Sequence, residues 1–99
     1  MNANPYHDFF SNLANPLKMN IVLELNKTEK NVSQLSNSLK EEQSKISHAL
    51  SSLKQCKIVN MKQKGKERVY FLNKSTIVPI LQIIRHHSSK NCRGCKLCN

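Results

Sequence analysis

The sequence predicts a mainly α domain with one small β-hairpin, an α+β fold, and three observations support this prediction. A chain of 99 residues suffices for one domain with a modest core. Apolar residues recur at helical spacing up to Leu53 and again beyond Ser75, whereas the segment between them alternates apolar and polar residues. Gly65 stands in the middle of that alternating segment, where a hairpin needs a turn.

The first half of the chain predicts four helices. The pair Asn15 and Pro16 ends the first helix and opens the second, because Pro is favoured at the first helical position. Asn31 and Gln34 have the spacing of a capping box at the start of a short third helix. A fourth helix, the most regular, begins at Gln43 after a turn. The positions expected to face the core from the second to the fourth helix are Leu17, Ile21, Val22, Leu25, Val32, Leu35, Leu39, Ile46, Ala49, Leu50 and Leu53.

The second half predicts a hairpin and a last helix. Residues 58–63 and 67–72 read as strands, with Val69 and Phe71 on the apolar face. Residues 76–87 are predicted to form a helix capped by Ser75. That helix is apolar over so wide an arc that a domain of this size would have to dimerise to cover it. We therefore expect a dimer held by the first and last helices, with an interface of Phe9, Phe10, Leu13, Ile77, Ile80, Leu81 and Ile84.

The charge of the chain indicates a polyanionic partner. Sixteen Lys and Arg residues against six Asp and Glu give a net charge of +10, so double-stranded DNA is the expected partner. No apolar stretch approaches membrane-spanning length, and the N-terminus lacks the pattern of a signal peptide, so we expect a cytoplasmic protein without a membrane partner. No paired carboxylates, glycine-rich phosphate loop or Ser/His/Asp set is present, so an enzyme is not expected.

Helices followed by a basic hairpin, in this order, are typical of a winged helix-turn-helix. From Asn15 to Leu72 the chain resembles the ArsR family of small bacterial and archaeal repressors. The resemblance is carried by residues 15–25 (NPLKMNIVLEL), 32–35 (VSQL), 46–53 (ISHALSSL), 58–59 (IV) and 65–72 (GKERVYFL). It implies a recognition helix at 43–54 in the major groove and a wing at 62–68 along the DNA backbone. The DNA contacts that it implies are Gln43, Ser44, Lys45, Ser47, His48, Lys54, Lys62, Lys64, Lys66 and Arg68.

The chain departs from the family pattern at its metal sites. Members that sense metals through the third helix have a pair of cysteines where this chain has Asn31 and Ser33. The zinc site of the last helix finds no match beyond His86 and His87. Two further departures are Ala49, where a His is usual, and Lys57, where the turn usually has Gly.

The residues after the predicted domain, 88–99, contain Cys92, Cys95 and Cys98 in a CxxCxxC pattern. Three thiolates satisfy arsenite or antimonite without another ligand, whereas zinc would need a fourth, for which His86 or His87 is near. An iron–sulfur cluster would lack its usual fourth cysteine. Two alternatives to a metal or metalloid site are a thiol redox switch and a flexible tail with incidental cysteines. The chain thus divides into a domain at 1–87 and a cysteine-rich tail at 88–99.

These patterns predict a homodimeric DNA-binding repressor whose DNA affinity responds to a metal, metalloid or redox signal at the tail cysteines. One alternative is a constitutive winged-helix DNA-binding protein with a structural zinc or iron–sulfur site. Another is a thiol redox protein. Cys56, which follows the last apolar position of the fourth helix, is expected to be a small buried hydrophobe.

Overall fold

The computed structural model describes residues 4–91 and confirms the predicted fold class. Within that range the elements are α1 (Pro5–Ala14), α2 (Pro16–Lys27), α3 (Val32–Leu39), α4 (Gln43–Gln55), β1 (Val59–Lys64), β2 (Glu67–Leu72) and α5 (Ile77–Asn91). The two strands form one antiparallel hairpin, and the helices α2, α3 and α4 pack on each other and on the hairpin. The described part of the chain has no helix long and apolar enough to cross a membrane.

Local sequence signals define the starts of the first three helices. The Asn4 side chain caps α1, and the Asn15 side chain accepts a hydrogen bond from the Lys18 amide at 3.0 Å to cap α2. At α3 the predicted capping box is present, since Asn31 and Gln34 exchange two hydrogen bonds of 2.8 Å. These side chains satisfy amide groups that have no partner inside the helix.

The core lies where α2, α3 and α4 meet the base of the hairpin and the start of α5. Its buried side chains are Ile21, Val22, Leu25, Leu35, Ile46, Ala49, Leu50, Leu53, Ile58, Val59, Leu72 and Ile77. Leu17, Val32 and Leu39, also expected to face inward, are partly buried against it. The turn into β1 passes through Lys57, whose φ of 60° falls in the left-handed region that favours glycine. The lysine therefore adopts a conformation that is costlier for it than for the Gly usual in the family.

The hairpin is covered on both faces, whereas the sequence predicted a single apolar face with Val69 and Phe71. Val59 and Leu72 face each other across the hairpin and enter the core, and Tyr70 is partly buried against it. Val69 is on the opposite face and is 6% exposed. Lys30 pairs with Tyr70 through two backbone hydrogen bonds of 2.8 and 3.1 Å, so β2 has a neighbour on each side. This bridge pairs part of the outer edge of β2.

Helix α5 differs in its limits from the prediction. It begins at Ile77 rather than Thr76, and the Ser75 hydroxyl donates to the Asn73 side chain at 2.8 Å instead of capping the helix. The helix continues to Asn91, so residues 88–91, which we had assigned to the tail, are helical. Ile77 is 2% exposed in the core. Its placement in a dimer interface was therefore wrong, because the side chain has no surface to offer.

The remaining apolar side chains of the predicted interface lie on α1 and α5. Phe9, Leu13, Ile80 and Leu81 are partly buried against the core. Phe10 is 58% exposed and Ile84 is 46% exposed. The neighbouring Ile83 is 67% exposed. From residue 82 to residue 90 every side chain except that of Ser88 is exposed. Only the first part of α5 is therefore packed on the domain.

A polar network joins α1 to α4. Asn12 is 6% exposed, and its amide nitrogen donates to the Asp8 carbonyl and to the Cys56 sulfur, each at 3.0 Å. Its side-chain oxygen accepts from the Ser52 hydroxyl at 2.8 Å, and that hydroxyl accepts from the Lys18 ammonium at 3.0 Å. Cys56, expected to be a small buried hydrophobe, is half-buried against the core and accepts a hydrogen bond in this network.

Replacing Asn12 with Ala should lower the free energy of unfolding by about 1–3 kcal/mol, because polar groups buried around the network lose their partner. Asn20→Ala is the matched control, since Asn20 is exposed in α2 and the substitution brings the same change in helix propensity. Urea unfolding should show a loss for Asn12→Ala alone. Equal unfolding free energies for the two variants would mean that the network does not stabilise the fold.

Candidate nucleic-acid interface

Helix α4 has the form of a recognition helix, with one apolar face and one polar face. Ile46, Leu50 and Leu53 are fully buried and Ala49 is 4% exposed, so these four positions anchor the helix at i, i+3, i+4 and i+7. The side chains on its other face are polar or basic, and all of them are exposed: Gln43, Ser44, Lys45, Ser47, His48, Ser51 and Lys54. Every DNA contact expected from this helix is therefore accessible.

The turn between α3 and α4 is held by side chains as well as backbone. Lys40 takes a left-handed φ of 54° at the end of α3, and the Ser36 hydroxyl donates to the Glu41 carbonyl. The Gln43 amide donates to the Ser33 hydroxyl at 3.3 Å, which links the first turns of the two helices. Ser33 thus has a structural partner at a position where sensing relatives have a cysteine, and Asn31 serves as the cap of α3.

The hairpin tip is a short basic turn. Gly65 has a φ of +60°, a conformation that L side chains rarely adopt, which explains why glycine occurs there. The Gln63 amide donates to the Gly65 carbonyl at 3.1 Å and closes the turn. Lys66 and Arg68 are exposed, and within residues 4–91 neither has an ion-pair partner. They flank a shallow cleft that also includes the start of α3.

The other two basic residues of the wing are not free. The two carboxylate oxygens of Glu29 bind one lysine each, Lys62 at 2.9 Å and Lys64 at 2.8 Å. The Lys62 ammonium also lies 5.4 Å from the ring centroid of Phe71. Sequence reasoning missed these pairs, because Glu29 lies more than thirty positions earlier in the chain than the two lysines. The Lys30–Tyr70 bridge places Glu29, the neighbour of Lys30, beside the hairpin, and no sequence pattern predicted this bridge.

These ion pairs shift the ionisation of their members. The hydrogen bonds from Lys64 and then Lys62 lower the pKa of Glu29 to about 2, and the same carboxylate raises the pKa of Lys64. Glu29 thus favours its charged form more in the folded chain than in the unfolded one, where its pKa is near 4.5. Its contribution to stability is present above that unfolded value and is lost as the pH falls towards 2.

Glu29 should therefore contribute to the acid sensitivity of the fold, by a modest amount because its ion pairs are partly exposed. Between pH 6 and pH 3 the free energy of unfolding should fall more for the wild-type chain than for Glu29→Gln, because glutamine has no proton to take up. Glu67→Gln, another wing carboxylate without an ion pair among the described residues, should keep the wild-type drop. Urea titrations at the two pH values test this. If the free energy of unfolding of Glu29→Gln fell as much as that of the wild-type chain, the acid sensitivity would come from other groups.

The predicted metal ligands fall mostly outside the described residues. Cys92, Cys95 and Cys98 lie beyond residue 91, so the structure describes nothing about them. His86 and His87 are exposed near the end of α5, and as consecutive helical residues they do not face each other. Among residues 4–91 no group of three or more His, Cys, Asp or Glu could hold a metal ion.

The described residues thus form a winged helix-turn-helix domain, in which a polar-faced helix lies beside a basic hairpin. The family model described as the bacterial regulatory protein arsR family matches residues 15–61. Residues 15–61 are therefore similar to this family, and the winged helix-turn-helix chain is a DNA-binding transcriptional regulator. No curated protein matches it in sequence.

Solved structures with the same fold include proteins of this kind. NolR from Sinorhizobium fredii has a TM-score of 0.75 at 27% identity, over 83% of this chain and 82% of its own. The transcriptional repressor PagR of Bacillus anthracis has 0.70 at 25% identity, over 81% and 92%. The homodimeric winged helix-turn-helix DNA-binding domain of Mb0332 from Mycobacterium bovis, a possible ArsR-family transcriptional regulator, has 0.83 at 15% identity, over 93% and 85%. At that last identity the likeness supports the fold alone.

Proposed function

We propose that the chain is a cytoplasmic, homodimeric repressor that binds double-stranded DNA through α4 and the wing at 62–68. The observation that carries this proposal is the exposed polar face of α4 next to a hairpin whose tip is basic. A helix of this kind fits the major groove, and lysines of a wing neutralise flanking phosphates. The repressor role is favoured by the likeness to PagR, which is described as a transcriptional repressor.

Substitutions in α4 and in the wing should affect DNA binding differently. Side chains at Ser44, Lys45 and His48 would read base edges, so their Ala variants should change which duplexes are selected from a random pool. Lys66→Ala should instead weaken binding to all duplexes alike. Selection followed by sequencing of the bound duplexes measures both effects. Unchanged preferences in all three helix variants would remove α4 from base recognition.

A homodimer is proposed because apolar side chains of α1 and α5 remain exposed in the single chain. Phe10, Ile83 and Ile84 are each between 46% and 67% exposed, and a second copy with the same surfaces would cover them across a two-fold axis. The Mb0332 domain, which has the same fold, is described as homodimeric. Such a dimer would present two recognition helices to half-sites about one helical turn apart.

The signal is proposed to enter at Cys92, Cys95 and Cys98. Thiolates at this spacing suit a thiophilic ion, with arsenite or antimonite first and zinc with His86 or His87 second. Arg93 and Lys96 lie between the cysteines and should favour the thiolate form by their positive charge. A ligand that fits the tail better in the DNA-free dimer would lower the affinity for DNA by the same free energy.

Single Cys→Ser changes at Cys92, Cys95 or Cys98 should each abolish the response to arsenite and leave basal DNA binding intact. Cys56→Ser is the control and should respond like the wild-type chain. The assay is DNA binding by reduced protein with and without arsenite, zinc and an oxidant, and coupling of typical size would change affinity about fivefold or more. If none of the three changes the affinity by more than about twofold, the tail is not a sensor. The constitutive DNA-binding protein is then the better reading.

A further inference from the structure

The wing has four basic side chains in two distinct states. Lys66 and Arg68 have no acidic partner within residues 4–91, whereas Lys62 and Lys64 share Glu29. Each carboxylate oxygen of Glu29 takes one ammonium group, at 2.9 and 2.8 Å. One residue outside the hairpin therefore neutralises part of the charge that the wing would offer to DNA.

The position of Glu29 explains how one carboxylate reaches both lysines. Lys62 and Lys64 are two positions apart on β1, so their side chains leave the same face of the hairpin. Glu29 precedes Lys30, which pairs with Tyr70 on the far edge of β2. The antiparallel bridge thus brings Glu29 level with Phe71, and Glu29, Phe71 and Lys62 line one cleft. The ion pairs hold both ammonium groups against the hairpin face.

This arrangement adds little to the stability of the fold. The Glu29 side chain is 31% exposed, and those of Lys62 and Lys64 are 46% and 59% exposed. Ion pairs at such exposed sites have small net free energies, so another anion can displace the carboxylate at low cost. A DNA phosphate carries the same charge and takes the same hydrogen bonds. A glutamate carboxylate is charged at neutral pH, so Glu29 competes with a phosphate for the two ammonium groups.

We propose that Glu29 limits the sequence-independent affinity of the wing for DNA by competing with backbone phosphates for Lys62 and Lys64. The inference rests on the proposed function, since it requires the wing to lie along DNA. Lys66 and Arg68 can then bind phosphates directly. Lys62 and Lys64 can bind phosphates only after they leave the Glu29 carboxylate. Glu29 thereby increases specificity, because it lowers the part of the DNA affinity that does not depend on the base sequence.

The test uses the full chain and a labelled duplex of arbitrary sequence, titrated over a range of salt concentrations. Glu29→Gln should bind about threefold to tenfold more tightly than the wild-type chain at low salt, with a salt slope steeper by up to about two units. In Glu29→Asp the side chain keeps its charge but is too short to bind both lysines. Its DNA affinity and salt slope should therefore change in the same direction as those of Glu29→Gln, by a smaller amount. Glu67→Gln changes the net charge equally on the same wing, and its slope should change by less than about half a unit.

A double-mutant cycle separates competition from a general effect of charge. In a Lys62→Gln/Lys64→Gln background, Glu29→Gln should leave the affinity and the salt slope unchanged. Equal or weaker binding by Glu29→Gln in the wild-type background, or tighter binding that persists without the two lysines, overturns the proposal. Circular dichroism confirms that each variant is folded. If the wild-type chain binds no duplex at all, the proposed DNA-binding function fails first, and that result is distinct from the others.

Discussion

Replacing Ile84 with Asp should convert the protein into folded monomers that bind a two-half-site duplex about 10²-fold to 10⁴-fold more weakly. Ile84 is 46% exposed in the single chain, so a carboxylate there costs the monomer little. In a two-fold dimer the same carboxylate would be buried in an apolar interface without a partner, which is strongly unfavourable. The affinity falls because a monomer loses the high effective concentration that links the two recognition helices.

Gln82→Asp provides the matched control on the same helix. Gln82 is exposed and lies about 160° around α5 from Ile84, so the new charge stays in solvent. Sedimentation velocity at micromolar concentration should show a dimer for the wild-type chain and Gln82→Asp, and a monomer for Ile84→Asp. A monomeric wild-type chain with full DNA affinity would contradict the proposed dimer.

Leu50→Ala should lower the free energy of unfolding by about 2–5 kcal/mol. Leu50 is fully buried and anchors α4 to the core. The loss combines the transfer free energy of the removed atoms with the cavity that they leave. Since domains of this kind are stable by about 5–15 kcal/mol in total, a large share of the protein would unfold on mild heating. DNA binding would fall with the folded fraction.

Ser51→Ala, at the exposed neighbouring position, separates burial from helix content. Its unfolding free energy should stay within about 0.5 kcal/mol of the wild-type value. Urea unfolding, followed by circular dichroism, compares the two variants. If Leu50→Ala were as stable as Ser51→Ala, α4 would not be anchored through this residue.

The helices and the hairpin were largely predictable because their signals are local. Asn31 and Gln34 identify the start of α3, and Ile46, Leu50 and Leu53 repeat at helical spacing. The limits of α5 were less predictable, since Ser75 looks like a cap in sequence yet bonds to Asn73. Element ends depend on which of several neighbouring polar groups takes the hydrogen bond, and sequence alone does not decide that.

Long-range contacts were the part that the sequence did not reveal. Ile77 looked like an interface residue because the helix is apolar over a wide arc, but the Ile77 side chain packs into the core. Glu29 and the wing lysines are far apart in the chain, and only the Lys30–Tyr70 bridge brings them together. The exposed face of α4 could be read correctly because a regular helix repeats its faces.

The measurement that tests DNA binding by the wing most directly is a salt titration of duplex binding by the wild-type chain and by Lys66→Ala/Arg68→Ala. The variant should bind every duplex more weakly, and its plot of log K against log salt should be flatter by up to about two units, near 0.9 for each lost phosphate contact. Arg85→Ala/Lys90→Ala removes the same charge from the exposed part of α5 and should keep the wild-type slope. Identical slopes for the wild-type chain and the wing variant would contradict the account.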